Sequence, residues 1–236
     1  LLTGSFGCLG VILTATFKLA PLAEASRTVS VEFSTSAHCG SLVADLLKHA
    51  SAPTALELAT PPATMLIRFE SVEAVAVEQA EQAATLARAH GGTVVVLSGD
   101  DETAAWREHD ARVFDREGTI VKLVVVPSEV SSTLVWLDTA AKTTQLEYAV
   151  TGRAGLGVLS VGLRGAVSEQ AAFVTALRER LPVGRGSAVI QRADPKLKAL
   201  VDVWGPVGDS LRIMQEVKRR FDPTGSLNPG RGPGGL

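Results

Sequence analysis

The sequence predicts an α+β fold made of two successive βαββαβ units whose strands form one wide antiparallel sheet with helices on one face. Three observations carry this. Apolar residues follow the order strand, helix, strand, strand, helix, strand over residues 28–97, and the same order returns over 120–191. The chain has 236 residues, 46% hydrophobic and 20% charged, ample for a buried core of one large domain or two small ones. Each βαββαβ unit closes as a four-stranded antiparallel sheet, and two such sheets can join edge to edge.

In the first unit, Thr28–Phe33 alternates, with Val29, Val31 and Phe33 on one face. His38–His49 places Leu42, Val43, Leu46 and Leu47 at helical spacing. Two short strands, Ala55–Leu58 and Met65–Phe69, flank the breaker Pro61-Pro62. An Ala-rich helix over Glu73–His90 stops at Gly91-Gly92, and Thr93–Leu97 is a strand. The second unit opens with Ile120–Val126, halted by Pro127, and Ser128 is positioned to cap a helix reaching Thr139. Strands Gln145–Val150 and Gly157–Leu163 meet across the turn Gly152–Gly155. Ser168–Leu181 directs Phe173, Val174, Leu177 and Leu181 inward, and Ser187–Gln191 closes the unit. Each unit is thus ferredoxin-like, and the face of the joined sheet away from the helices needs a cover, from a ligand or from another domain.

Three segments lie outside this repeat. Val11–Leu19, β-branched and aromatic after a Gly-rich turn, reads as a strand ended by Pro21. Residues 100–115 form a polar helical segment with Trp106, Arg107 and Arg112, expected to link the units while facing solvent. Pro206–Phe221 is an amphipathic helix with Leu211, Met214, Val217 and Phe221 on one side, and Asp222–Arg231 packs two Pro-Gly turns into ten residues.

Composition excludes several functions. With 23 basic and 25 acidic side chains, net charge −2 and 5% aromatics, nucleic-acid binding has no electrostatic or stacking footprint. The two cysteines, Cys8 and Cys39, rule out a disulfide framework and read as small buried residues. His38, His49, His90 and His109 are scattered, so no metal site is expected, and surface or helix-end roles suit them best. The apolar run Leu9–Phe17 ends at Lys18, short of a bilayer span. The expected location is the cytoplasm, with partner subunits able to hold the protein at the inner membrane.

Three segments, in order, resemble the vanillyl-alcohol-oxidase (PCMH-type FAD-binding) superfamily. Leu1–Pro21, with Gly4-Ser5-Phe6-Gly7-Cys8-Leu9-Gly10-Val11-Ile12, resembles the close of its FAD-binding domain; the double βαββαβ layout resembles its cap domain; Val203–Arg231, with Asp222-Pro-Thr-Gly-Ser-Leu-Asn-Pro-Gly-Arg231, resembles its returning tail. The last segment looks most similar to the FAD-binding E subunit of glycolate oxidase. The resemblance implies FAD as cofactor and a division into a 1–22 remnant of the FAD-binding domain, a 23–200 substrate-side cap and a 201–236 helix and tail. It implies hydride transfer from glycolate or a similar 2-hydroxy acid, with a catalytic FAD subunit and an iron–sulfur subunit as partners. The Gly-His…Gly-Asp-Gly-Asn-x-His motif of catalytic 2-hydroxy-acid members has no match in Gly155–Ser160. The alternative is therefore a non-catalytic structural or electron-relay subunit that docks a flavoprotein.

The cofactor candidates are Gly4, Ser5, Gly7, Gly10, Val11, Ile12, Asn228 and Arg231. Glycines let a backbone approach a planar ring, and exposed N–H groups suit flavin or phosphate oxygens. Lys122, one charge within an apolar strand, and Arg112 are the candidates for a substrate carboxylate.

Overall fold

The computed structural model describes residues 1–48, 52–181 and 184–236. It divides into two compact units, one of Leu1–Pro21 with Trp204–Leu236, the other of Leu22–Val203.

The larger unit contains both repeats. The first runs β1 (Ala25–Phe33), α1 (Ala37–Leu46), β2 (Ala55–Thr60), β3 (Ala63–Ser71), α2 (Glu73–Ala89) and β4 (Thr93–Leu97). After the linking helix α3 (Gly99–Phe114) come β5 (Thr119–Val124), α4 (Val130–Thr144), β6 (Glu147–Arg153), β7 (Val158–Arg164), α5 (Val167–Arg180), β8 (Ser187–Arg192) and α6 (Pro195–Leu200). The eight strands form one sheet in the order β4-β1-β3-β2-β6-β7-β5-β8, every pairing antiparallel. The halves meet where β2 pairs with β6, Glu57 opposite Arg153 and Ala59 opposite Thr151.

Alternation sets the two faces. Val29, Val31, Phe33, Met65, Ile67, Phe69, Val121, Leu123, Leu159 and Val161 point to one side, where a single core also takes Leu42 and Leu46 of α1, Ala83 and Ala87 of α2, Leu134 and Leu137 of α4, and Phe173 and Leu177 of α5. Complete burial of Phe69 or Phe173 contributes about 2 kcal/mol each. α2 can lie close to the sheet because its buried positions are all alanine, Ala76, Ala80, Ala83, Ala84 and Ala87.

The opposite face departs from the sequence expectation. α3 does not face solvent. It buries Glu102, His109 and Val113 against the sheet. Glu102 Oε1 accepts from Ser26 Oγ (2.6 Å), Thr28 Oγ1 (2.7 Å) and Arg68 Nε (3.2 Å), and the Arg68 guanidinium lies 4.1 Å from the ring centre of Trp106. Trp106 Nε1 donates to Thr28 Oγ1 at 2.9 Å, while Arg107 is exposed. Farther along, Val113 joins Ile120 and Ala149 in a small apolar cluster. A helix of low hydrophobicity can be held this way because each buried polar group has a partner.

Other boundaries moved. Ser128 sits inside a short 3-10 turn, Pro127–Glu129, and does not cap α4, which continues to Thr144. The predicted first helix ends at Leu46, and the part of that prediction at His49 lies outside the described residues. His38 and His90 sit at helix ends as expected, His90 Nε2 being 3.0 Å from Asp45 Oδ2. His109 is buried instead, 3.7 Å from Glu57. Cys39 is fully buried, and burial pushes its thiol up to about 12, which makes it inert.

Candidate functional site

The smaller unit holds every cofactor candidate. Its opening makes two successive turns, Ser5 N–H to Leu2 O (3.1 Å) and Cys8 N–H to Ser5 O (3.0 Å). Gly4 and Gly7 have φ of +83° and +72°, and between them Phe6, a residue with a side chain to strain, has φ +54°. Two contacts hold Phe6 there. Asn228 Nδ2 donates to its carbonyl at 2.7 Å, and its ring meets Trp204 edge-on at 5.2 Å. A methyl group on Gly7 would lie 2.8 Å from Asn228 Nδ2, so glycine is required for the tail to come this close.

The tail folds around a buried ion pair. α7 (Ser210–Phe221) delivers Lys218, whose Nζ donates to Asp222 Oδ2 (2.7 Å), Leu227 O (2.7 Å) and Cys8 O (2.9 Å). Asp222, 5% exposed, also accepts from the backbone N–H of Leu227 (2.8 Å) and Ser226 (3.1 Å) and from the hydroxyls of Thr224 and Ser226. The Lys218 ammonium, then the Leu227 and Ser226 amides, hold its carboxyl well below the usual carboxylate range against the opposing effect of desolvation. Sequence reading missed this pair. Its available signal was the i, i+4 spacing of Lys218 and Asp222 at the end of an amphipathic helix.

The cofactor candidates separate into two groups. Ser5, Gly7 and Asn228 are brought together by the turns and bonds just described, with Gly4 one residue away. Arg231 is exposed, and its side chain has no hydrogen-bond or ion-pair partner among the described residues. The predicted strand Val11–Leu19 is not formed: Val11 and Ile12 are exposed, Leu13 is 89% exposed, and no strand pairs with this segment among the described residues. Strand propensity has no effect without a partner ladder. α7 likewise begins at Ser210, not Pro206, and no residue of it is buried as a whole, although the Lys218 side chain is withdrawn from solvent. Its apolar side lines a cleft of 440 Å³ with Phe6, Leu9, Trp204, Ile213, Met214 and Leu236 on its walls.

The substrate candidates both belong to the larger unit. Arg112 is engaged structurally, donating to Pro62 O (3.3 Å) and Thr64 Oγ1 (3.4 Å) at the β2–β3 turn. Lys122 stands exposed on the α3 side of the sheet, level with Ser160 of β7, Thr151 of β6 and Val189 of β8. No hydrogen bond or ion pair engages it among the described residues. An unpaired cation with a hydroxyl on the neighbouring strand can take a carboxylate.

Comparison with known proteins places the architecture first. The fold is shared with alkyldihydroxyacetonephosphate synthase (TM-score 0.55, 13% identity, covering 92% of this chain and 46% of that one). It is also shared with xylooligosaccharide oxidase from Myceliophthora thermophila C1 (0.53, 15%, 86% and 54%). A third is glucooligosaccharide oxidase from Acremonium strictum, which carries a 6-S-cysteinyl, 8α-N1-histidyl FAD (0.50, 11%, 86% and 54%). The chain spans about half the length of these proteins. More particularly, the family model "FAD linked oxidases, C-terminal domain" matches residues 199–231, the stretch that contains α7, the buried ion pair and Asn228. No curated protein matches the chain.

Proposed function

We propose that this chain is the C-terminal, substrate-side part of an FAD-dependent oxidoreductase. The observation that carries the reading is the joint between the Gly-rich turn at Gly4–Cys8 and the tail at Asp222–Asn228, whose tail half lies within the FAD-linked oxidase match. Gly4, left-handed and without a side chain, lines with Ser5 and Phe6 a cleft walled by Trp204, Ile213 and Met214. Such a surface fits a planar, partly apolar ring system with polar edges. FAD, when bound, supplies hydride acceptance, and the protein's part is to hold and orient the ring and the substrate.

Within that reading the substrate is a small 2-hydroxy acid, glycolate or a relative. Lys122 binds its carboxylate on the open part of the sheet, and the chain works with a catalytic FAD subunit and an iron–sulfur electron acceptor. The unpaired state of Lys122 supports the acid, and the resemblance of the tail supports the partners.

The visible spectrum of the purified full-length protein tests the cofactor. Flavin absorbance, present on purification or regained on adding FAD, is the expected result; its absence under both conditions refutes the assignment. For the substrate, Lys122→Met is expected to raise KM for a 2-hydroxy acid about tenfold or more while leaving the flavin spectrum unchanged. An unaltered KM removes Lys122 from the site.

A further inference from the structure

The Lys218–Asp222 pair has a geometry that propensity and charge balance do not demand. An ammonium has three N–H donors, and Lys218 has three acceptors at 2.7–2.9 Å, each from a different place: the Asp222 side chain on its own helix end, the Leu227 carbonyl in the tail and the Cys8 carbonyl in the opening turn. Its side chain is 12% exposed and that of Asp222 3% exposed, so the pair is taken out of water and depends on these bonds. Leu227 precedes Asn228, which reaches Phe6, and Cys8 Sγ lies 3.7 Å from the Asn228 carbonyl. The neighbouring cations are not built this way. Arg219 pairs with Glu216 at the exposed surface, and both side chains are about two-thirds exposed.

We infer that Lys218 is a positioning residue that locks the tail onto the Gly-rich opening turn, so that the two segments present one preformed surface to the cofactor. This rests on the flavin reading above. The lock acts through backbone carbonyls, so it fixes main-chain position at Cys8 and Leu227 whatever side chains surround them. Arginine cannot replace lysine here, because a planar guanidinium cannot direct three donors to acceptors converging around a single point. Preorganisation of this kind strengthens binding by removing the ordering cost from the binding step.

Cys8 supplies a readout that needs no cofactor. It is 6% exposed beside the lock, and Cys39, the chain's other cysteine, is fully buried in the sheet's helix-side core. In full-length protein freed of flavin, Lys218→Met and Asp222→Asn are expected to speed alkylation of Cys8 about tenfold or more, followed by mass spectrometry, with Cys39 still protected. Arg219→Met serves as the control and should leave both rates unchanged. In the same proteins the Kd for FAD is expected to rise in step with Cys8 exposure, and Lys218→Arg should behave like Lys218→Met. Unchanged Cys8 alkylation in Lys218→Met overturns the lock. An opened lock with unchanged FAD affinity overturns its service to the cofactor. Failure of the wild type to take up FAD overturns the flavin reading, and it is distinguished from failure of the lock because alkylation is measured without cofactor. Simultaneous exposure of Cys39 marks global unfolding and refutes a local role for that variant; Asp222→Asn, which preserves shape, then decides.

Discussion

Single residues in this protein are placed by their bonds more than by their type. Glu102 sits in an acidic first turn, Asp100-Asp101-Glu102, yet only Glu102 turns inward, where Ser26, Thr28 and Arg68 meet one carboxylate oxygen. Removing it strands a largely buried guanidinium and two hydroxyls, so Glu102→Ala is expected to cost about 3 kcal/mol in urea unfolding. Glu108→Ala, at an exposed i, i+4 pair with Arg112, should cost less than about 0.5 kcal/mol. Asp222 makes a second residue-scale prediction. Its folded carboxyl is depressed below its ordinary value of 3.8, so its contribution is complete above that value. That contribution is lost as pH falls from there through the folded value. The tail should therefore stay locked at neutral and mildly acid pH and open only in strong acid. Carboxyl ¹³C titration of Asp222 by NMR checks this, and a midpoint at or above the ordinary value would refute it.

At the scale of elements, sequence periodicity read the repeat well and read its extras poorly. The core strands and helices were legible because each has one apolar face and a partner supplied by the repeat itself. α3 was misread because its three inward residues, Glu102, His109 and Val113, carry almost no apolar signal. Val11–Leu19 departs in the opposite sense, with ample apolar signal and no ladder to join among the described residues. Helix contacts give this scale its prediction. A methyl on Gly40 of α1 would lie 2.3 Å from Ser131 Cβ of α4, and Ser131 Oγ reaches Ala37 O at 3.1 Å. Gly40→Val is therefore expected to push the two helices apart and lower stability by about 2–3 kcal/mol, read from thermal unfolding. The same substitution at Gly91, where no neighbour approaches, tests instead the left-handed φ of +78° at the end of α2.

At the scale of the molecule, residues 22–203 own a continuous core that runs through both repeats, bridged by β2–β6 and by α1 on α4. Arg178 closes this unit by donating to Ala188, Asp202 and Val203 carbonyls, which ties the chain after α6 back to β8. This stretch is expected to fold when expressed alone and to melt in one transition, with equal calorimetric and van't Hoff enthalpies. Two separated transitions would show that the repeats are independent. Among the described residues no helix is long and apolar enough to cross a membrane.

The sequence by itself determined the double βαββαβ order, the inward face of β1, most of the inward stripes of α1 and α5, and the tail motif that carries the family match. Those follow from period and local turn chemistry, which act over a few residues. Only the tertiary structure decided that α3 seals part of the second face through Glu102 and Trp106. It alone decided that Arg112 is engaged at the β2–β3 turn while Lys122 stands unpaired, and that Lys218 joins residues 8, 222 and 227. Most of these depend on which polar groups find partners across large separations in the chain, as Glu102 does with Ser26 and Lys218 with Cys8, and pairing at that range leaves no period for a sequence to display.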